Sequence, residues 1–151
     1  MIDGVRVRRL VRHADARGSL TELLRSDWPE FTRFGQAIFT VNQPGVIRGW
    51  RWHRRQTDVI VVVAGAALVA LHDGRDGSPT RGQLDEHVLD ERDLAAVFVP
   101  PGVYHGYRTI SDTPALIVNF PDALYDPAHP DEERVPHDDP TIGYRWEAPA
   151  R

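Results

Sequence analysis

Apolar residues occur in short runs along most of the chain, and turn residues separate the runs. The runs are rich in Val, Ile, Phe and Tyr, and no window repeats with the 3.6-residue period of an amphipathic helix. Short strand-like runs at this spacing are typical of an all-β sandwich or barrel with little helix. The runs are GVRVRRLV, SLTELL, QAIFTVN, VIRGWRW, DVIVVVAG, AALVALHDG, AAVFVPPG and ALIVNF.

Two of the separators predict specific turns. Ala64-Gly65 is interpreted as the tight turn of a hairpin that joins a Val-rich strand to AALVAL. Pro100-Pro101-Gly102 must be a turn, because neither proline can donate a ladder hydrogen bond.

The C-terminal segment, residues 121–151, has a different composition. It holds six of the twelve prolines and the acidic run DEE. Tyr125, Tyr144 and Trp146 supply aromatic anchors, so we expect an irregular segment packed on the barrel and not a disordered tail. The expected organisation is one domain over residues 1–151, with the barrel in residues 1–120.

Composition excludes several classes of protein. The net charge of -4 argues against a nucleic-acid binder, since phosphate contacts need a basic surplus. All basic residues are Arg, and cysteine is absent, which removes thiolate chemistry and is compatible with the cytoplasm. The first residues lack the apolar core of a signal peptide, and the longest apolar run, Val59 to Leu71, is too short to span a membrane.

Two histidines are candidates for chemistry. Strand alternation places Arg51 and His53 on one face and the tryptophans beside them on the other. In PPGVYHGY, His105 shares a face with Tyr107. The spacing P-x-G-x-x-H resembles the second cupin motif, in which a turn delivers a histidine into the mouth of a small barrel. Two such histidines together favour a site over isolated packing residues.

Six motifs in order resemble the dTDP-4-dehydrorhamnose 3,5-epimerase family. They cover about nine-tenths of the chain. They are DARGSLTE (residues 15–22), Asn42 with Arg48-Gly49, Arg75 with SPTRG (residues 78–82), PGVYHGY (residues 101–107), YDP (residues 125–127), and DDP (residues 138–140) followed by Trp146. The resemblance implies a cupin-type jelly roll, a homodimer that exchanges N-terminal strands, and no cofactor. It also implies an isomerase that moves protons next to the ketone of a nucleotide-linked 4-keto-6-deoxyhexose, in deoxysugar or secondary metabolism.

The resemblance also assigns catalytic positions, and several are substituted here. Arg51 stands at the position of the family's basic histidine, although a guanidinium cannot accept a proton from carbon. Asn119 stands at the position of the acidic tyrosine, and Asp58 at that of a lysine. Asp139, the partner of the missing histidine, remains, and we expect it to form an ion pair with Arg51.

The substrate-binding positions are better preserved. Arg17 and Arg48 match the family's pyrophosphate arginines, and Glu22 and Asn42 match positions near the base and sugar. With Asn119 they form the predicted substrate-binding set.

Three hypotheses remain open from the residues. In the first, His53 or His105 is a base and Tyr107 or Tyr104 the acid, with the pKa of His53 lowered by Arg51 so that the imidazole is neutral. In the second, two histidines and the Asp58 carboxylate hold Fe(II).

The third hypothesis is a pocket that binds or shapes a natural-product intermediate without proton transfer. Metal analysis separates the second hypothesis from the others, and titration with dTDP separates the first from the third.

Overall fold

The computed structural model describes residues 1–147, and those residues form β-strands, turns and irregular segments with no helix. The all-β prediction is therefore confirmed, and the described residues include no helix that could cross a membrane. The strands are β1 (Arg6–Arg9), β2 (Arg12–Asp15), β3 (Gly18–Thr21), β4 (Ile38–Asn42), β5 (Ile47–Trp52), β6 (Asp58–Ala64), β7 (Ala66–Asp73), β8 (Leu84–Asp90), β9 (Ala95–Val99), β10 (Val103–Thr109), β11 (Ala115–Asn119) and β12 (Glu133–Arg134).

Two antiparallel five-stranded sheets face each other. The first sheet has the order β1-β9-β6-β11-β4, and the second has the order β12-β5-β10-β7-β8. Alternate residues of the inner strands point between the sheets, as a period of two requires. The core between the sheets includes Ile60, Val62, Val69, Leu71, Val97 and Ile117.

The turn at Gly65 does not close the predicted hairpin. β6 pairs with β9 and β11, whereas β7 pairs with β8 and β10, so the chain passes from one sheet to the other at this point. Gly65 has φ 70°, and a Cβ there would lie 2.7 Å from the Pro114 carbonyl oxygen. The corner therefore needs glycine, and the hairpin interpretation is wrong because consecutive strands of a jelly roll can belong to different sheets.

The turn at Pro100-Pro101-Gly102 is present as predicted. Gly102 has φ 81° and its N–H donates to the carbonyl of His53 at 2.7 Å. This turn joins β9 of the first sheet to β10 of the second, and it brings the beginning of β10 beside the end of β5.

The C-terminal segment covers the outer face of the second sheet. Trp146 packs on the fully buried Trp50 with ring centroids 4.8 Å apart, and Tyr144 contacts both rings. The Trp146 indole N–H donates to the carbonyl of His137 at 2.9 Å. The last four residues of the predicted segment, 148–151, lie outside the described residues.

We predict that Trp146→Ala destabilises the protein by about 3 kcal/mol, at the lower end of the range for removing a large aromatic side chain from a core. Trp146 is only 7% exposed and holds the C-terminal segment on Trp50. Urea unfolding followed by fluorescence checks this value. Val88→Ala, on the 53% exposed Val88 of β8, is the control and should cost far less. Equal costs for both variants would contradict the anchoring role.

Candidate functional site

A cavity of about 810 Å³ opens between the two sheets and is closed on one side by the C-terminal segment. Its size lies within the range of small-molecule sites. Both sheets contribute to its lining, which includes most of the residues that the sequence singled out. These are Arg48, Arg51, His53, Asp58, His105, Tyr107 and Asn119.

A bulge in β5 explains why Arg48 and Arg51, which are three residues apart on the strand, both face this cavity. His105 lies opposite Arg51, and Tyr107 lies opposite Arg48. Two residues of β5, Gly49 and Trp50, therefore face the single residue Gly106 of β10. Strict alternation would place Arg48 and Arg51 on opposite faces, and the additional residue restores them to one face. A Cβ on Gly106 would lie 2.8 Å from the Arg48 carbonyl oxygen, so the bulge requires glycine there.

The deepest ionisable group of the cavity is Asp58, which begins β6 and is 1% exposed. Its Oδ2 lies 3.0 Å from Nε2 of His53 and 3.0 Å from Nε2 of His105. Both imidazoles are also buried. Because Asp58 belongs to the first sheet and the histidines come from the end of β5 and from β10, the three side chains join the sheets across the cavity floor. We call them the His-Asp-His cluster.

Hydrogen bonds to backbone carbonyls show which ring nitrogen is protonated in the neutral form of each histidine. Nδ1 of His53 lies 2.5 Å from the Asp131 carbonyl oxygen, and Nδ1 of His105 lies 3.2 Å from that of Val103. A carbonyl oxygen only accepts, so each Nδ1 carries a hydrogen. A second proton on Nε2 can then be donated to the Asp58 carboxylate. With both Nε2 atoms protonated the cluster has a charge of +1, and with one it is neutral.

The electrostatics of the cluster differ from the expectation of a neutral His53. Burial acts to lower the pKa of His53, but its hydrogen bond to Asp58 and the charge of that carboxylate outweigh burial and raise the pKa. Burial likewise acts to raise the pKa of Asp58, and the hydrogen bonds from His105 and His53 outweigh it and hold the pKa well below its usual range. The prediction that Arg51 lowers the pKa of His53 is wrong, because Asp58 is the charged group in contact with the ring.

Two further side chains fix the cluster in place, and the sequence reasoning missed both. Gln56 donates from Nε2 to Oδ1 of Asp58 at 2.8 Å. The Asp131 carboxylate accepts the backbone N–H groups of residues 54, 55 and 56 at distances of 3.0, 2.9 and 3.1 Å. Asp131 thus caps the turn after β5 while its carbonyl accepts from His53. Nothing in the sequence indicated these two contacts. The sequence offered only Asp58, a single carboxylate at the start of an apolar strand, as a sign of this cluster.

Asn42 holds the Arg48 side chain through a hydrogen bond. It is 1% exposed, does not line the cavity, and its Oδ1 accepts from Nε of Arg48 at 2.7 Å. The Tyr107 hydroxyl lies 3.4 Å from the same oxygen. Asn42 therefore does not face the cavity itself but contacts two side chains that do.

The expected ion pair between Arg51 and Asp139 is not formed. Nε of Arg51 lies 3.5 Å from Oε1 of Glu132, while the Asp139 carboxylate accepts the backbone N–H of Thr141 at 2.8 Å. Asp139 caps a turn of the C-terminal segment and does not line the cavity. The acid candidate Tyr104 is also outside the cavity, because it packs on Trp52 and His72 on the outer face of the second sheet.

Arg17 and Glu22 lie away from the cavity of their own chain. β2 and β3 pair only with each other, and Arg17 at the end of this hairpin forms an exposed ion pair with Asp15. Glu22 pairs with Arg25. A single chain therefore does not bring these two predicted substrate contacts to the site.

Comparisons with known proteins agree with the motif resemblance. A family model described as dTDP-4-dehydrorhamnose 3,5-epimerase matches residues 1–151. The spore coat polysaccharide biosynthesis protein SpsL of Bacillus subtilis is 42% identical over 146 residues, which cover 97% of this chain and 97% of that protein.

Two solved structures extend the agreement to the fold. A dTDP sugar isomerase from Desulfovibrio desulfuricans is 32% identical, covers 96% of this chain and 92% of its own, and has a TM-score of 0.90. ChmJ, a 3'-monoepimerase from Streptomyces bikiniensis in complex with dTDP-quinovose, is 28% identical, covers 96% and 76%, and has a TM-score of 0.85. The jelly-roll prediction is confirmed.

The shifted pKa values predict how stability depends on pH. The raised pKa of His53 contributes stability that is complete below about pH 6.5, the ordinary value, and is lost as pH rises through the folded-state pKa. The lowered pKa of Asp58 contributes stability that is complete above about pH 4 and is lost in acid. Unfolding free energy measured in urea should therefore fall between neutral and mildly alkaline pH.

NMR titration of the His53 ring checks the same shift directly, with a midpoint above 6.5 expected for the wild type. A His53 midpoint below 6.5 would mean that burial, and not Asp58, dominates.

Proposed function

Because the chain belongs to the dTDP-4-dehydrorhamnose 3,5-epimerase family over residues 1–151, we propose that it epimerises a nucleotide-linked 4-keto-6-deoxyhexose at a carbon next to the ketone. Membership makes it an epimerase-like enzyme of deoxysugar or polysaccharide biosynthesis. The observation that carries the finer proposal is the buried His-Asp-His cluster on the floor of a cavity of ligand size.

The first step is the transfer of a proton from carbon to the cluster. The ketone acidifies the adjacent C–H, and the electron pair of that bond moves into an enolate. The proposed acceptor is the cluster in its neutral state, which has one unprotonated Nε2, and uptake of the proton brings the cluster to its charge of +1. Asp58 stabilises the imidazolium that forms, which is what a general base needs near neutral pH.

The second step returns a proton to the opposite face of the carbon. Tyr107 lies two residues after His105 on β10 and also lines the cavity. Its hydroxyl is the proposed donor to the enolate carbon. Solvent then reprotonates the phenolate and takes the proton from the cluster, which returns to its neutral state. Inversion follows when the acceptor and the donor stand on opposite faces of the sugar ring.

The arginines of the cavity give the nucleotide end of the substrate its binding site. Arg48 is exposed to the cavity and its described contact is the neutral Asn42 amide, which leaves its charge free for a pyrophosphate. The complex of ChmJ with dTDP-quinovose, in a structure of the same fold, supports a dTDP-linked ligand.

A metal site is the second candidate for the same three side chains. Their ligand atoms lie within 4.8 Å of one another, and both histidines donate their other ring N–H to a carbonyl, as metal-bound histidines usually do. A bound Fe(II) would take the place of the Nε2 protons. The two candidates therefore differ in whether a chelator abolishes the reaction.

Deuterium exchange tests the proposed function. The protein is incubated with dTDP-4-keto-6-deoxyglucose in D₂O and a chelator, and NMR follows the loss of the C–H signals next to the ketone. We expect exchange by the wild type and a fall of at least about 100-fold in Asp58→Asn, which is the lower range for general acid–base catalysis. Asp73→Asn is the matched control, since Asp73 is an equally buried carboxylate outside the cavity.

The outcomes separate the hypotheses. Exchange that appears only when Fe(II) replaces the chelator supports the metal site. Binding of dTDP without any exchange supports a pocket that shapes its ligand. Full exchange by folded Asp58→Asn contradicts the role of the cluster.

We also propose that the protein is a homodimer in which the β2–β3 hairpin of each chain contacts its partner. The hairpin pairs with neither sheet and exposes Leu20, which is 63% accessible. β4 is an edge strand that exposes Phe39 and Val41 at 59% and 48%. An unpaired sheet edge and an unpaired hairpin each favour association with a second copy. Dimerisation would also bring Arg17 towards the partner's cavity.

Light scattering after size exclusion should give twice the 17.0 kDa chain mass at micromolar concentration. Phe39→Asp combined with Leu20→Asp should shift the mass towards one chain, because both substitutions put charge into the contact. Val88→Asp, on an exposed apolar position of the other sheet's edge strand, should leave the dimer intact. A wild type of single-chain mass would refute the proposal.

A further inference from the structure

Asn119 is an isolated polar group in the apolar part of the cavity. It ends β11, where it lies opposite Ile60 of β6 and Ile38 of β4. Ile117, two residues earlier, faces the same way, and all four residues line the cavity. The side chain therefore projects from an isoleucine-lined surface.

The Asn119 side chain makes no hydrogen bond to the described part of the chain. Within residues 1–147, its Oδ1 is buried and has no hydrogen-bond partner, and no side-chain hydrogen bond of Asn119 is formed. Among the buried side-chain atoms left without a partner in that part of the chain, Oδ1 of Asn119 is the one that belongs to a cavity-lining residue. Burying a polar atom without a partner costs stability, so an apolar side chain of the same shape would suit the free fold better.

We infer that Asn119 determines specificity by hydrogen-bonding one polar substituent of the sugar, in a part of the cavity that otherwise contacts only its apolar surface. This inference rests on the proposed function, since it takes the ligand to be a nucleotide-linked sugar. A site built to hydrogen-bond a substituent rejects analogues that lack it, because the amide then stays buried and unpaired. The isoleucines around Asn119 suit the uncharged sugar better than the charged pyrophosphate.

Asn42 provides a matched comparison. It is also an asparagine on a strand of the first sheet, but its side chain donates to Thr40 at 3.0 Å and to the Ala115 carbonyl at 3.3 Å and accepts from Arg48. The same substitution, Asn→Leu, removes hydrogen bonds at position 42 and none at position 119. The variant at position 42 should therefore lose stability, and the variant at position 119 should not.

The first measurement is urea unfolding of Asn119→Leu and Asn42→Leu without ligand. The midpoint of Asn119→Leu should equal or exceed that of the wild type, whereas the midpoint of Asn42→Leu should fall clearly. A marked fall in Asn119→Leu would overturn the inference, since it would mean that the amide is paired in the free protein, for example through a water molecule.

The second measurement is calorimetry with dTDP and with dTDP-glucose, which differ only in the sugar. Asn119→Leu should bind dTDP as the wild type does and lose about tenfold in affinity for dTDP-glucose, the effect of one hydrogen bond. Unchanged affinity for dTDP-glucose overturns the inference. Equal losses for both ligands overturn it too, because the amide would then serve the nucleotide.

Failure of the proposed function looks different. In that case the wild type binds neither nucleotide, and the unfolding midpoint alone decides whether the Asn119 amide is structural.

Discussion

The buried carboxylate of Asp58 is the group on which the site depends. A charge at 1% exposure is tolerated only when it is paired and hydrogen-bonded, and three donors surround this one. Since the donors come from the opposite sheet and from the turn after β5, pairing the charge also fixes the distance between the sheets at the cavity floor. The position of His53 in turn depends on Asp131, which ties the C-terminal segment to the same cluster.

Periodicity predicted the sheets but not the faces of their functional residues. The strand-like runs became strands because alternation and apolar content are local properties of the sequence. Arg48 reached the cavity with Arg51 only because β5 bulges opposite Gly106, and a bulge depends on how closely two backbones approach in the folded state. Gly65 shows the same limit, since a tight turn does not tell whether the two strands it joins share a sheet.

Residue types predicted the site better than pair assignments did. His53, His105 and Asp58 were grouped because two histidines and a carboxylate form a set that can hold a metal ion. The ion pair between Arg51 and Asp139 was inferred from the family resemblance, and in the structure Arg51 contacts Glu132 instead. Glu132 and Asp131 lie in an acidic run whose composition favours exposure to solvent. Their contacts depend on how the C-terminal segment packs against β5, which is not a local property of the sequence.

The substitutions at positions 51 and 119 are consistent with a shift of function within one cavity. Arg51 cannot accept a proton, yet the next residue on its face, His53, is bound to a carboxylate that supports a positive charge. Asn119 cannot supply a proton as a tyrosine does, but a neutral amide between isoleucines can recognise a sugar substituent without transferring anything to it. Chemistry would then lie at the cluster and recognition at β11. Such a division lets selection change the sugar through one residue while the proton-transfer groups remain fixed by the Asp58 charge.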